Sequence, residues 1–202
     1  MVADVARGYN VNVMHPLAIA QEKWRPLRRS EYDRLVADGV FEGEKIELLQ
    51  GVLVRMSPQK APHASTVQKL TQFFMVALSG RAKVFCQAPI ALSDDSEPEP
   101  DVMVVPLANY DQALPDRALL LVEVAESSLK EDRQQKMVLY ANAGIPEYWI
   151  LNLEELVLEV YRDPAQDGYR RVTRHLRNEK IAPFHFPDVS VELDVVLPAD
   201  RT

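Results

Sequence analysis

The stretch LLLVEVA at residues 119–125 decides how the rest of the chain is interpreted. This short run is rich in Leu and Val and is bounded by turn residues, which predicts a buried strand. Glu123 lies inside it. An ionised carboxylate that is buried without a partner is strongly unfavourable, and a metal ion or another cation would remove that penalty. Glu123 therefore predicts a functional site.

The composition limits the classes of protein that the chain could belong to. With 202 residues, 47% of them hydrophobic and 26% charged, it can form one soluble domain with a real core. It has no apolar run of transmembrane length and no signal-peptide core, so we expect a cytoplasmic protein without a membrane partner. The single Cys86 excludes an internal disulfide and a multi-cysteine zinc site. The net charge of −7 disfavours nucleic-acid binding unless basic patches or bound metal compensate.

The remaining patterns predict one α/β domain at residues 26–202, after an irregular extension at residues 1–25. We expect a central mixed β-sheet flanked by helices, with an N-terminal hairpin and additional C-terminal strands. The predicted helices span residues 30–39, with Ser30 as the cap, 63–80 and 128–144. The predicted strands are a hairpin at 45–57 that turns at Gln50-Gly51, then 84–92, 101–106, 116–127, 147–152, 156–162, 169–176 and 189–197.

Four other residues could share a site with Glu123. Asp101 begins a predicted strand, where a rigid scaffold meets water, and Glu47 lies in the first strand of the hairpin. Lys136 lies on the helix after the Glu123 strand, with Asp132 one turn before it on the same face. Three carboxylates without a thiol or imidazole cluster predict a hard cation, Mg²⁺ or Mn²⁺. A lysine beside the cation could orient the attacking water in metal-assisted phosphodiester hydrolysis.

Each of these residues also has a purely structural interpretation. Asp101 could be a turn residue, and Glu47 could pair with Lys45 or Arg55. Lys136 could be a solvated helix lysine.

Two basic features of the sequence each have a structural and a functional interpretation. His63 begins a predicted helix and is more typical of a local cap, or of a group that supports a ligand, than of a ligand itself. A basic stretch near the C-terminus predicts a solvated strand face, with phosphate contact as the alternative. Its arginines are Arg170, Arg171, Arg174 and Arg177.

Several segments together resemble one known family. They are GEKIELLQGVLVRMSP, His63, QAPIAL, EPEPDVMVV and the block LLVEVAESSLKEDRQQKMVLYANAGIPEYWIL. The chain is similar to the Uma-two family of restriction-endonuclease-like proteins, within the PD-(D/E)XK nuclease superfamily. The resemblance runs from about residue 28 to about residue 197, and the block at residues 120–151 is its most specific part.

The resemblance implies a restriction-endonuclease-like core, with a central mixed sheet and a helix on each face. It implies that Asp101 and Glu123 are metal ligands and that Glu47 lies near the active site. The lysine usual in the superfamily would fall at Ala125, and the resemblance implies that Lys136 takes its place from the following helix.

The resemblance also implies supporting residues and partners. Asp132 would support Lys136, and Gln87 and His63 would be polar neighbours of the site. Val52 stands where the family often has Glu, which we interpret as peripheral. The expected function is that of a Mg²⁺- or Mn²⁺-dependent endonuclease acting on DNA, as a homodimer. Two alternatives remain open: a catalytically silent module of the same fold that binds nucleic acid or protein, and a phosphohydrolase of small phosphodiesters.

Overall fold

The computed structural model describes residues 24–199. The extension predicted for residues 1–25 therefore lies almost wholly outside the described residues. The strands are β1 (Ile46–Leu49), β2 (Val52–Arg55), β3 (Lys83–Cys86), β4 (Val102–Val105), β5 (Leu120–Ala125), β6 (Glu147–Asn152), β7 (Val157–Ala165), β8 (Gly168–Leu176), β9 (Lys180–Ile181) and β10 (Val191–Glu192). The helices are α1 (Arg29–Ala37), α2 (Ala61–Ala77), α3 (Leu129–Glu131), α4 (Met137–Asn142) and α5 (Leu193–Val196).

A six-stranded sheet forms the centre of the fold, in the order β3-β4-β5-β6-β7-β8. The pairing of β5 with β6 is parallel and the other pairings are antiparallel. Every residue of β4, β5 and β6 is buried, which agrees with their largely apolar sequences. The predicted mixed sheet with an N-terminal hairpin is confirmed, and β1 and β2 form that hairpin.

Helices cover both faces of the sheet. Successive side chains of a strand point to opposite faces, so β5 contributes to two separate cores. Val122 and Val124 pack in the core under α2, together with Phe74. Leu121 belongs to the core under α4, together with Tyr140. The alternation places Glu123 on the α4 side of the sheet.

The helix predicted at residues 128–144 is present but irregular. After α3, a π-helix (Asp132–Lys136) leads directly into α4. A π-turn holds one residue more than an α-turn and is often found at functional sites. No helix within residues 24–199 is both long and apolar enough to cross a membrane.

Two predicted boundaries at the N-terminal side of the sheet are wrong. Helix α1 begins at Arg29, so Ser30 does not cap it; the Glu31 carboxylate accepts the backbone N–H of Arg28 instead, at 3.0 Å. The strand predicted at 84–92 ends at Cys86. Gln87 adopts a positive φ of 47°, and its N–H donates to the carbonyl of Asp101, which turns the chain away from the strand.

The last predicted strand, at 189–197, is also wrong over most of its length. Only Val191–Glu192 pairs, with β9, and the chain then forms α5. Leu193 and Val196 are both buried and are three residues apart, a spacing that suits one face of a helix.

Candidate active site

The residues predicted from the sequence meet in one cleft of about 150 Å³. It lies between the hairpin, the start of β4, the end of β5 and the π-helix. All five acidic and basic candidates line it and are buried: Glu47, Asp101, Glu123, Asp132 and Lys136. The topology explains the convergence, because β4 and β5 are neighbours in the sheet and the π-helix follows β5 after a short loop.

Lys136 joins two of the carboxylates. Its Nζ lies 3.1 Å from Glu123 Oε1 and 3.1 Å from Glu47 Oε2. Burial alone would lower the pKa of Lys136, but the charges of Glu123 and Glu47 outweigh it and raise the pKa above its usual value. Lys136 is only 7% exposed, so the interpretation as a solvated helix lysine does not hold. Glu47 pairs with Lys136, and Arg55 lies 3.9 Å from Glu44 instead.

Glu123 is held through one oxygen. Lys136 Nζ donates to Oε1 at 3.1 Å, and the hydroxyl of Tyr140 donates to the same oxygen at 2.8 Å. Burial raises the pKa of Glu123 well above its usual value; Lys136 opposes this rise, and the charges of Asp132 and Asp101 add to it. Tyr140 was not predicted to belong to the site. Its position four residues after Lys136 and eight after Asp132, on one helical face, was the available signal.

Asp101 is held through both oxygens. Its Oδ2 accepts the backbone N–H of Val124 at 2.9 Å and lies 3.1 Å from His63 Nε2, and its Oδ1 accepts the amide of Gln87 at 3.1 Å. Burial alone would raise the pKa of Asp101, but these contacts outweigh it and lower the pKa. His63 and Gln87 therefore both contact Asp101. His63 Nδ1 is buried without a hydrogen-bond partner within the described residues.

Asp132 lines the same cleft with a different partner. Its Oδ2 accepts the hydroxyl of Ser128 at 2.7 Å. Over residues 24–199 it forms no direct ion pair with Lys136, although the charge of Lys136 opposes the rise in its pKa at longer range. Burial raises the pKa of Asp132 to about 6. The proposed supporting role is therefore electrostatic.

The cleft contains more acid than its cations can balance. Among the described residues, the four buried carboxylates are contacted by one ammonium group, that of Lys136, and by His63. Lys60 also lines the cleft but lies 3.5 Å from Glu126. No group of three or more His, Cys, Asp or Glu side chains in residues 24–199 is arranged to hold a metal ion by itself. Mg²⁺ is commonly bound through one or two carboxylates with water and substrate phosphates. Asp101 and Glu123 fit that pattern.

The basic stretch at residues 170–177, which covers most of β8 and the residue after it, forms ion pairs with acidic neighbours. Arg171 lies 3.2 Å from Asp163, and Arg177 lies 3.1 Å from Asp194. Arg174 pairs with Glu155. These pairs favour the interpretation as a solvated face over that as a phosphate-binding surface.

Comparison with known proteins places the chain in a family. The family model Uma2, described as “Putative restriction endonuclease”, matches residues 29–195. A crystal structure of “a putative nuclease belonging to DUF820 from Anabaena variabilis ATCC 29413” superposes with a TM-score of 0.67 at 13% identity, over 85% of this chain and 97% of that chain. At that identity the likeness concerns the fold. No match was found among the curated proteins. The resemblance noted in the sequence is thus confirmed, and the chain belongs to the Uma2 (Uma-two) family.

Proposed function

We propose that the protein is a Mg²⁺- or Mn²⁺-dependent endonuclease that hydrolyses phosphodiester bonds in DNA. One observation carries the proposal: the buried cleft brings Asp101 together with Glu123 and Glu47, which share Lys136. The family supports a nuclease in general, and the proposal adds the metal, the substrate and the residue roles.

Asp101 and Glu123 are the proposed metal ligands. The pKa of Asp101 is lowered, so this side chain is a carboxylate throughout the neutral range. Both hydrogen bonds to Glu123 converge on Oε1, so its other oxygen is the one proposed to meet the cation. When bound, the cation lowers the pKa of water and neutralises charge on the phosphate. Burial, with the added charge of Asp132 and Asp101, raises the pKa of Glu123, and a bound cation would favour its ionised form.

Lys136 is proposed to act as a cation and hydrogen-bond donor. Its raised pKa keeps it protonated near neutral pH, so it does not remove a proton from water in this state. The ammonium group can orient a water molecule and stabilise negative charge that develops on the phosphate. Glu47, which accepts the N–H of Glu99 at 3.2 Å, fixes the position of that ammonium group.

His63 and Gln87 are proposed to position Asp101, and Tyr140 to position Glu123. Groups that orient ligands in this way commonly contribute about 10- to 100-fold in metal affinity or activity. Asp132 contributes negative charge near Lys136.

The test is a cleavage assay on plasmid and single-stranded DNA with Mg²⁺, with Mn²⁺ and with a chelator. We expect nicking or cutting with either ion, none with the chelator and none for Asp101→Ala. RNA and a small phosphodiester belong in the same panel. Cleavage of the small phosphodiester alone would contradict a nuclease, and full activity of Asp101→Ala would contradict the assigned site.

A homodimer remains part of the proposal. Cutting both strands of a duplex requires two active sites or two successive nicks. Light scattering at assay concentration gives the mass in solution. A monomer that cuts both strands in one binding event would contradict the dimer.

A further inference from the structure

A second groove adjoins the acidic cleft. It has a volume of about 550 Å³ and lies between α2 and the end of β3. Gln59 lines both the groove and the cleft. Gln87 lines the groove, and its side chain donates to Asp101. The groove therefore adjoins the cleft at Gln59, and Gln87 connects its lining to Asp101, a proposed metal ligand.

The lining of this groove is amide and apolar. Within residues 24–199 no charged side chain lines it. Met75 is 52% exposed and Val76 is 75% exposed, which are large values for such apolar side chains. The residues that define this surface, called the amide groove below, are Gln59, Gln68, Gln72, Met75, Val76 and Gln87.

This chemistry suits a nucleobase better than a phosphate. Proteins bind nucleic-acid phosphates chiefly through Lys and Arg, and no charged side chain among the described residues lines the groove. A glutamine amide presents a donor and an acceptor together and can pair with the edge of a base. An apolar floor can receive the flat face of a base, and such contacts tolerate different bases. The face of a base becomes available only when the base leaves its stack in the duplex.

The spacing along α2 suits a strand whose phosphate lies in the cleft. Gln68 follows His63 by five residues, which is about 7.5 Å along the helix axis and about 140° around it. Gln72 lies one turn further on. A stacked strand rises about 3.4 Å per nucleotide, so a base that reaches Gln68 lies at least about two nucleotides from the phosphate beside Asp101.

We propose that the amide groove binds an unpaired base of the substrate strand, at least about two nucleotides from the cleaved phosphate. Gln68 and Gln72 contact the edge of that base, and Met75 contacts its face. The inference rests on the proposed nuclease function and deepens it. The preferred substrate is a single strand or a locally unpaired strand, and the sequence preference arises at the base in the groove.

The test separates binding from cleavage. Fluorescein-labelled single-stranded DNA of about 12 nucleotides is titrated into the full chain carrying Asp101→Ala, with Mg²⁺ present, and binding is followed by anisotropy. One abasic position is moved along the strand, and a duplex of the same sequence is measured beside it. Met75→Asp and the double variant Gln68→Ala/Gln72→Ala are compared with Ser65→Ala. Ser65 is exposed on the same helix but lines neither the groove nor the cleft.

We expect both groove variants to weaken binding by about tenfold and the control to bind normally. One abasic position should weaken binding by a similar factor, and it should add nothing in the groove variants, because the same contact is already lost. Single strands should bind more tightly than the duplex. The double glutamine variant keeps the test valid if Met75→Asp fails to fold.

Three results would overturn the inference. In the first, the groove variants bind like the control. In the second, an abasic position weakens binding to the groove variants as much as it weakens binding to the control. In the third, Met75→Asp changes the mass in solution but not the affinity, which would make the groove a contact between copies of the chain. If binding depends on the groove while the chain without Asp101→Ala cleaves nothing, the nuclease proposal fails and the groove remains.

Discussion

Two buried glutamates of neighbouring strands differ in how their charge is compensated. Glu147 begins β6 and is fully buried, and Glu123 of β5 is 4% exposed. Glu147 Oε1 accepts Trp149 Nε1 at 2.8 Å and Arg162 Nε at 2.8 Å, and its Oε2 accepts the N–H of Phe184 at 2.6 Å. One guanidinium group thus neutralises one carboxylate. Glu123 instead shares Lys136 with another acid.

The difference shows that burial of a carboxylate does not by itself mark a site. Glu147 is equally buried, yet its donors and its cation complete a structural pair. Glu123 keeps a raised pKa because desolvation and neighbouring acids exceed what Lys136 supplies. The local balance of charge, more than burial, indicates where a cation or substrate is expected.

The largest expected effect is on DNA cleavage, and it should separate the acidic cleft from the Glu147 pair. Asp101→Ala should lower Mg²⁺-dependent cleavage on the order of 1000-fold, since it removes a proposed ligand. Glu147→Gln should retain its activity per folded molecule. Initial rates on plasmid DNA measure both, with the exposed Asp188→Ala as the matched control. Equal losses in Asp101→Ala and Asp188→Ala would show that the assigned site is wrong.

The second effect concerns stability. Glu147→Gln should lower the free energy of unfolding by about 3 kcal/mol, because Arg162 loses its buried counter-charge. Glu123→Gln should leave that free energy unchanged or raise it, because it removes a carboxylate whose ionised form is disfavoured in the fold. Urea unfolding at neutral pH measures both, with the exposed Glu192→Gln for reference. A larger loss for Glu123→Gln than for Glu147→Gln would contradict the comparison.

A third carboxylate, Glu97, tests the role of counter-charge away from the cleft. Burial raises the pKa of Glu97 to about 7, and the charge of Asp33 adds to the rise. Arg29 Nη1 is 3.8 Å away, beyond hydrogen-bond distance, and the Oε2 of Glu97 has no hydrogen-bond partner among residues 24–199.

The folded protein therefore holds the Glu97 proton more tightly than the unfolded chain does. Its contribution to stability is full below the ordinary pKa of 4.5 and is lost as the pH rises through about 7. Glu97→Gln should thus be more stable than the parent by about 2 kcal/mol near pH 8, with the difference vanishing near pH 4. Unfolding curves across this range measure it. A stability difference between the variant and the parent that grows toward low pH would contradict the prediction.

The smallest expected effect separates two similar tyrosines. Tyr140→Phe removes one donor from Glu123 and should lower cleavage by about tenfold. Tyr161→Phe removes the hydroxyl that donates to Glu159 Oε2 at 2.7 Å, outside the cleft, and should leave cleavage unchanged. Both substitutions keep the ring, so a shared loss would indicate a general packing effect. The midpoint of thermal unfolding controls for stability.

Periodicity and turn residues predicted the sheet well, because β4, β5 and β6 are largely apolar runs bounded by turn residues. They failed where a local contact decides the conformation, as at Gln87, where a backbone hydrogen bond to Asp101 ends β3. They also failed at residues 193–196, where an apolar spacing fits both a short helix and a strand.

The candidate site was predicted in the same uneven way. Asp101, Glu123, Glu47 and Lys136 were expected, and they share one cleft, although their roles remain predictions. Tyr140 was missed because a buried tyrosine in an apolar helix resembles any core residue. The amide groove was also missed, since glutamines on an exposed helix face carry no signal until the fold places them beside the cleft.

The π-helix at Asp132–Lys136 has a consequence for how the chain tolerates changes in its length. A one-residue deletion usually breaks a helix, but here it would convert the wide turn into an ordinary α-turn and keep the hydrogen-bonded stretch intact. A five-residue π-turn and a four-residue α-turn each make about one full turn, so the residues after the deletion would keep their faces. The shortened chain should therefore fold with Tyr140 still facing Glu123. The same deletion inside α4 should instead rotate the residues that follow it by about 100°.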